Sequence, residues 1–244
     1  MVLAHRRAGT ELYQSSTMNA LLAGVYDGDL TIAELLEHGD FGLGTFNHLD
    51  GEMVVLDGTC HHLRSDGTAV VAAPTEQTPF AAVTRFHADS VVAVDDPMGW
   101  ADVTGRIDSM IDSVNLMYAI RIDGVFGTVS TRTVKEQAAP YPPLVEATAG
   151  QAQMQFTDIA GTLAGFRMPD YDQGISVAGY HLHFLADDHA RGGHALDFQM
   201  RHGVIRIGTI SDLHLRIPRA AGFLDAQLSG TDSSEQIRRT EGGH

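Results

Sequence analysis

An α+β fold built mainly on antiparallel and mixed β-sheet is what this sequence predicts, and three observations carry the expectation. Strand-length runs outnumber helical ones. Most joints between them are hairpin-like, with Asp50-Gly51, Asp57-Gly58 and Asp66-Gly67 punctuating "LGTFNHLDGEMVVLDGTCHHLRSDGTAVVA". The helical stretches are few and short, not alternating with strands as a parallel sheet requires. At 244 residues, 43% of them hydrophobic, the chain has room for one large domain or two modest ones around a real core.

Taken in order, "TIAELLEHG" predicts the first helix. Thr31 and Glu34 form a capping box, Ile32, Leu35 and Leu36 give the buried stripe, and Gly39 stops it. A three-turn meander follows. "RIDSMIDSVNLMY" then spaces Ile107, Met110, Ile111, Val114 and Met117 for an amphipathic helix, and "AIRIDGVFGTVSTRTV" reads as a hairpin turning at Asp123-Gly124. "APYPPL" crowds Pro140, Pro142 and Pro143 into a stiff crossing, which divides the chain into 1–139, an α+β part, and 140–244, a β-rich part. The second part ends in a short helix that Asp232 and Glu235 would cap.

Charge and cysteine content narrow the function. Thirty-one acidic against 16 basic residues give a net charge of −15, which argues against nucleic acid or an anionic membrane as partner. No apolar run reaches the length of a membrane span and the amino terminus carries no signal-peptide core, so a cytoplasmic protein is expected. Cys60 is the only cysteine, so any metal must be held by histidine and carboxylate.

Histidines are plentiful, at 13, and four fall in "HLHFLADDHARGGH". Period-two alternation turns His181 and His183 to one face of a strand. His194 follows a Gly-rich bend that can bring it alongside. Three imidazoles leave a fourth tetrahedral position open, the pattern of a catalytic zinc. The competing readings are a solvated strand with polar faces and a cupin-like barrel in which Asp187 or Asp188 completes the site. His189, at the loop tip, is the bystander.

Two hairpins put polar groups among aliphatics. A two-residue turn at Asp50-Gly51 pairs Leu49 with Glu52 and Thr45 with Leu56, so Thr45, Glu52, Val54 and Leu56 share a face. A carboxyl there has a raised pKa, suited to proton transfer, unless it belongs to a solvated turn. A turn at Asp123-Gly124 sets Arg121 and Arg132 on one face, as cations for an anionic substrate or as ordinary surface ion-pair partners.

"GTFNHLDGEMVVLDG", "YAIRIDGVFGTVSTRTV" and "GYHLHFLADDHARGGHALDF" together resemble the alpha-acetolactate decarboxylases, collinearly over roughly 10–241. The resemblance implies one Zn2+ on His181, His183 and His194, with Thr45, Glu52 and Arg132 as catalytic residues. It leaves Arg121 as an alternative arginine. It also implies a second glutamate late in the chain, Glu241 in preference to Glu235. It further implies two sheet-containing domains with the metal at their interface, a homodimer, and a small-molecule substrate, 2-acetolactate. The implied reaction yields (R)-acetoin and CO2 through a metal-stabilised enediolate protonated by a glutamate, on the route to butanediol. Neither thiamine nor pyridoxal phosphate is needed, because the substrate's own ketone is the electron sink.

Overall fold

The structure is a computed structural model that describes residues 10–228 and 233–241. Two β-sheets face one another. The first holds β1 (Glu11–Ser15), β3 (Phe41–Thr45), β4 (Glu52–Leu56), β5 (Thr59–Leu63), β6 (Ala69–Val71), β8 (Ala81–Thr84) and β15 (Asp212–Arg216), in the order β15-β1-β8-β3-β4-β5-β6. Its pairs are antiparallel except β1 with β15, which run parallel. The second is wholly antiparallel: β10 (Met98–Gly99), β14 (Gly192–Ile210), β11 (Met117–Thr133), β12 (Ala152–Met168) and β13 (Gly179–Ala186) in that order, with β9 (Ser90–Val94) also on β14. A two-stranded ribbon joins β2 (Leu30–Thr31) to β7 (Gln77–Thr78). β13 bonds to β12 on one side and folds back onto β14 on the other.

Helices complete the layers. α2 (Ile32–Leu36) covers the outer face of the first sheet, where Leu35 packs with Tyr13 and Val55. Its capping box is formed, with Thr31 accepting from the Glu34 N–H and the Glu34 carboxylate from the Thr31 N–H, a local device worth about 1 kcal/mol. α3 (Trp100–Asp108) covers the outer face of the second sheet through Val103 and Ile107. Between the sheets lies an apolar core to which Leu43, Val54 and Leu63 contribute from one side and Ala164, Phe166 and Leu185 from the other. A further cluster gathers α1 (Met18–Leu22), α4 (Leu144–Ala147) and α6 (Ser233–Glu241) through Met18, Leu21, Leu144 and Ile237. α5 (Ala221–Asp225) lies at the surface.

Several expectations need correction. Asp57-Gly58 is the expected two-residue hairpin, both residues at positive φ, as the twist of such turns demands. Asp50-Gly51 is not. Thr45 pairs with Glu52, leaving a six-residue connection with a 3-10 turn at Asn47–Leu49. The register therefore differs by four residues, an even slip that preserves which face each side chain takes. Asp123-Gly124 is no turn at all. β11 runs straight through it for 17 residues. Asp123 is held by Arg121, Arg206 and Thr162. A Cβ on Gly124 would meet the His202 carbonyl at 2.6 Å, so the glycine serves close strand approach rather than chain reversal.

The central helix runs earlier than expected. It stops at Asp108, and Met117 already belongs to β11. The crossing at 139–144 is packed, with Leu144 buried and Pro143 at the start of α4. A division at 139/140 does not separate the sheets. β9, β10 and β11 precede it yet lie in the second sheet, and β15 follows it yet completes the first. The cap expected from Asp232 lies outside the described residues.

Candidate functional site

β13 and β14 meet with His183 directly opposite His194, and His181 lies two residues back on the same face. The three rings sit with centroids 4.9–5.2 Å apart, and one nitrogen from each lies within 4.8 Å of the others. All three residues are buried. Nε2 of His181, Nε2 of His183 and Nδ1 of His194 have no hydrogen-bond partner among the described residues, and each such orphan costs about 1–3 kcal/mol unless something fills it.

The remaining contacts set the tautomers. The Nδ1–H of His183 donates to the Met53 carbonyl at 2.7 Å, and the Nε2–H of His194 to the Glu241 carbonyl at 3.1 Å. Their other nitrogens then present lone pairs, the usual second-sphere arrangement of metal-binding histidines. Burial holds the rings neutral, taking His181 and His183 down to about 3 and His194 well below its ordinary value, with Arg132 depressing all three further. Neutral imidazoles with unpartnered buried lone pairs are a donor set that fits zinc. His189 stacks edge-on against His61 outside this group, and Asp188 pairs with Arg191.

Glu52 reaches the trio from the first sheet. It opens β4, is 8% exposed, and places Oε2 3.8 Å from Nε2 of His183. Burial pushes its carboxyl up to about 8, against the pull of Arg132. Thr45, its neighbour across the β3–β4 pair, donates its hydroxyl to the Gly51 carbonyl at 2.6 Å. Both line a cavity shared with His181, Arg132 and Glu241, whose apolar side is formed by Met18, Leu21, Leu49, Phe80, Val134 and Leu144.

Arg132 and Arg121 part company because β11 is continuous. Eleven residues of strand separate them, about 36 Å at extended rise. Arg132 pairs in register with His194 and is 2% exposed. Its guanidinium donates to Gln151 at 2.9 Å and to Glu241 Oε2 at 3.0 Å, while Nε–H has no partner among the described residues. Arg121 instead bonds Asp57 and Asp123, away from the trio. Glu241, the last residue of α6, brings Oε2 to 3.7 Å from both His181 Nε2 and His194 Nδ1. Glu235, one end of the same helix away, is exposed. Gln151 carried no signal in the sequence, since it lies in no motif or periodic run, and Leu49, Val134 and Leu144 lie in quoted segments without any mark of their place in the wall.

Comparisons with known proteins agree in length and fold. A profile of the family described as alpha-acetolactate decarboxylase matches residues 12–230. The chain is 47% identical over 231 residues to an alpha-acetolactate decarboxylase of Methylococcus capsulatus, covering 95% of this chain and 88% of that one. It is 44% identical over 233 residues to the enzyme of Bacillus subtilis, covering 96% and 91%. The crystal structure of alpha-acetolactate decarboxylase from Bacillus subtilis superimposes with a TM-score of 0.94, at 44% identity over 96% of this chain and all of that one. A Staphylococcus aureus protein described as similar to alpha-acetolactate decarboxylase follows at 0.92 and 33%.

Proposed function

The chain belongs to the alpha-acetolactate decarboxylase family, and from that premise we propose that it is a zinc-dependent decarboxylase converting 2-acetolactate to (R)-acetoin and CO2. The observation that carries the reading is the convergence of three buried, unpartnered imidazole nitrogens beside a buried glutamic acid and a buried arginine. A cupin-like site would need Asp187 or Asp188 at the trio, whereas Asp188 pairs with Arg191 and the carboxylates that approach the histidines are Glu52 and Glu241.

His181, His183 and His194 would hold the zinc between the sheets, where it supplies a Lewis acid for the negative charge that develops on the substrate's ketone oxygen. The protein's own groups do the rest. The carboxylate to be lost lies β to that ketone, so cleavage leaves an electron pair at C2 that spreads toward the carbonyl. Arg132, anchored by Gln151 and Glu241, offers its unpaired Nε–H to the departing carboxylate and fixes its direction. Burial favours the acid form of Glu52, and from there a proton would pass to C2 from one side, which sets a single configuration in the product. Thr45 orients the substrate beside Glu52. Glu241, on the far side of the trio from Glu52, closes the cavity. The apolar wall takes the methyl groups and keeps water from the carbanionic carbon. Catalysis by a cytoplasmic homodimer completes the reading.

Metal content and acetoin formation from racemic acetolactate, measured on one purified sample before and after chelation, test this. About one zinc per chain, with activity abolished by chelator and restored by zinc, is expected. Metal without acetoin would discard the substrate, and no metal would discard the site.

A further inference from the structure

His62 lies outside the cavity, yet it touches the connection that carries the site's two first-sheet residues at both of its ends. It sits in β5 opposite Met53, on the face away from the histidine trio, and is 4% exposed. Its ring stacks on Phe46 with centroids 4.0 Å apart and planes 24° from parallel. Nε2 lies 2.7 Å from the Asp50 carbonyl, and Nδ1 lies 3.1 Å from Glu76 Oε1. Gly51, at φ +75°, passes so close that a Cβ there would meet His62 Nε2 at 3.1 Å and the Leu63 carbonyl at 2.3 Å. The Gly51 carbonyl in turn accepts from the Thr45 hydroxyl. Phe46 and Asp50 are thus in direct contact with one imidazole, and Gly51 leaves room for it.

Both ring nitrogens of His62 face acceptor oxygens, a main-chain carbonyl and a carboxylate, so the ring is tied to the connection on one side and to Glu76 on the other. The charged groups facing it are Glu76 and the Asp50 carboxylate, whose Oδ2 is 3.6 Å from Nε2. Glu76 is itself fixed by accepting from the Ala73 N–H through its other oxygen. The connection needs such a clamp. It contains His48, Leu49 and Gly51 at positive φ, conformations that a chain does not hold without tertiary support.

We propose that His62 is a positioning residue: stacked on Phe46 and bonded to the Asp50 carbonyl and to Glu76, it holds residues 46–51 so that Thr45 and Glu52 face the histidine trio. Its link to turnover rests on the function proposed above, whereas its effect on loop geometry does not.

The test compares His62→Leu with His62→Gln in the zinc-loaded protein. His62→Leu removes both ring nitrogens, and His62→Gln keeps an N–H for the Asp50 carbonyl. A loss of 10- to 100-fold in kcat is expected for His62→Leu, as befits misplacement by about an ångström, with KM within threefold and zinc still near one per chain. His62→Gln should recover much of the loss. Unchanged kcat in His62→Leu, or no recovery in His62→Gln, would overturn the proposal.

A second measurement needs no variant to fold and no acetoin to form. In wild-type, zinc-loaded protein labelled with 15N-histidine, a ring N–H signal of His62 slow to exchange with solvent is expected, and fast exchange would refute the clamp. Absence of acetoin in the wild type would reject the proposed reaction and leave this spectrum as the judge of His62.

Discussion

The two halves of the site are built by opposite means. The histidine half stands on β13 and β14, where His183 faces His194 and Arg132 is in register with His194. Each of those side chains is placed by backbone pairing on both sides. The acid–base half is delivered by ends. Glu52 opens a strand after an irregular connection, and Glu241 is the last residue of α6. The metal-binding half is therefore expected to be stiff and the proton-handling half to depend on tertiary packing. That difference can be broken or sharpened experimentally.

The largest effect is expected from His183→Ala. Losing a ligand should abolish zinc retention and cut kcat/KM by about 10³-fold or more, since Lewis-acid stabilisation is worth several kcal/mol, while the ladder keeps the far-ultraviolet circular dichroism intact. Unfolding on loss of metal would show that the ladder does not pre-form the site. Glu52→Gln comes next. It should leave zinc content unchanged and lower kcat by about 10²- to 10³-fold, the range for a removed general acid. Retained rate would move the proton to another group.

Ile237→Ala tests the packing dependence itself. Ile237 is the buried anchor of α6 among Leu21, Leu144 and Val177, and a cavity there costs about 2–5 kcal/mol. A fall of about tenfold in kcat is expected, with faster amide exchange in α6 and none in β13. Equal exchange in both would erase the contrast.

The smallest effect concerns the histidine half's own weak point. Asp172, in the turn leading from β12 to β13, is buried with Oδ2 unpartnered, and burial pushes its carboxyl from the ordinary 3.8 up to about 6. Between those values the unfolded chain gives up a proton that the folded one keeps. Stability then falls as pH rises from about 4 to 6. Asp172→Asn should flatten that slope in thermal melts, with activity unchanged. A slope that persists in the variant would assign it elsewhere.

How much of this was legible in the sequence follows the same divide. The histidine trio was, because strand periodicity and a Gly-rich bend are local rules. The face of Glu52 was legible too, although its register was not: a four-residue slip in an alternating strand returns each side chain to the same side. Asp123-Gly124 misled because a dipeptide cannot reveal that Asp123 has distant partners in Arg206 and Thr162. Arg121 and Arg132 could be told apart only once β11 was known to be unbroken. Gln151, His62 and the closing position of Glu241 depend on contacts between segments 14 to 109 residues apart, and no local pattern encodes them.

The parallel pairing of β1 with β15 matches Glu11 to Asp212. That rung constrains the order of assembly. The hairpins of β3, β4 and β5 can zip as soon as they are made, being neighbours in sequence. β1 cannot gain its outer partner until some two hundred further residues have been synthesised, and until then its edge is open to other chains. A nascent chain thus carries the half-finished first sheet through most of translation, and it is in that interval, rather than in the finished enzyme, that aggregation has its opening.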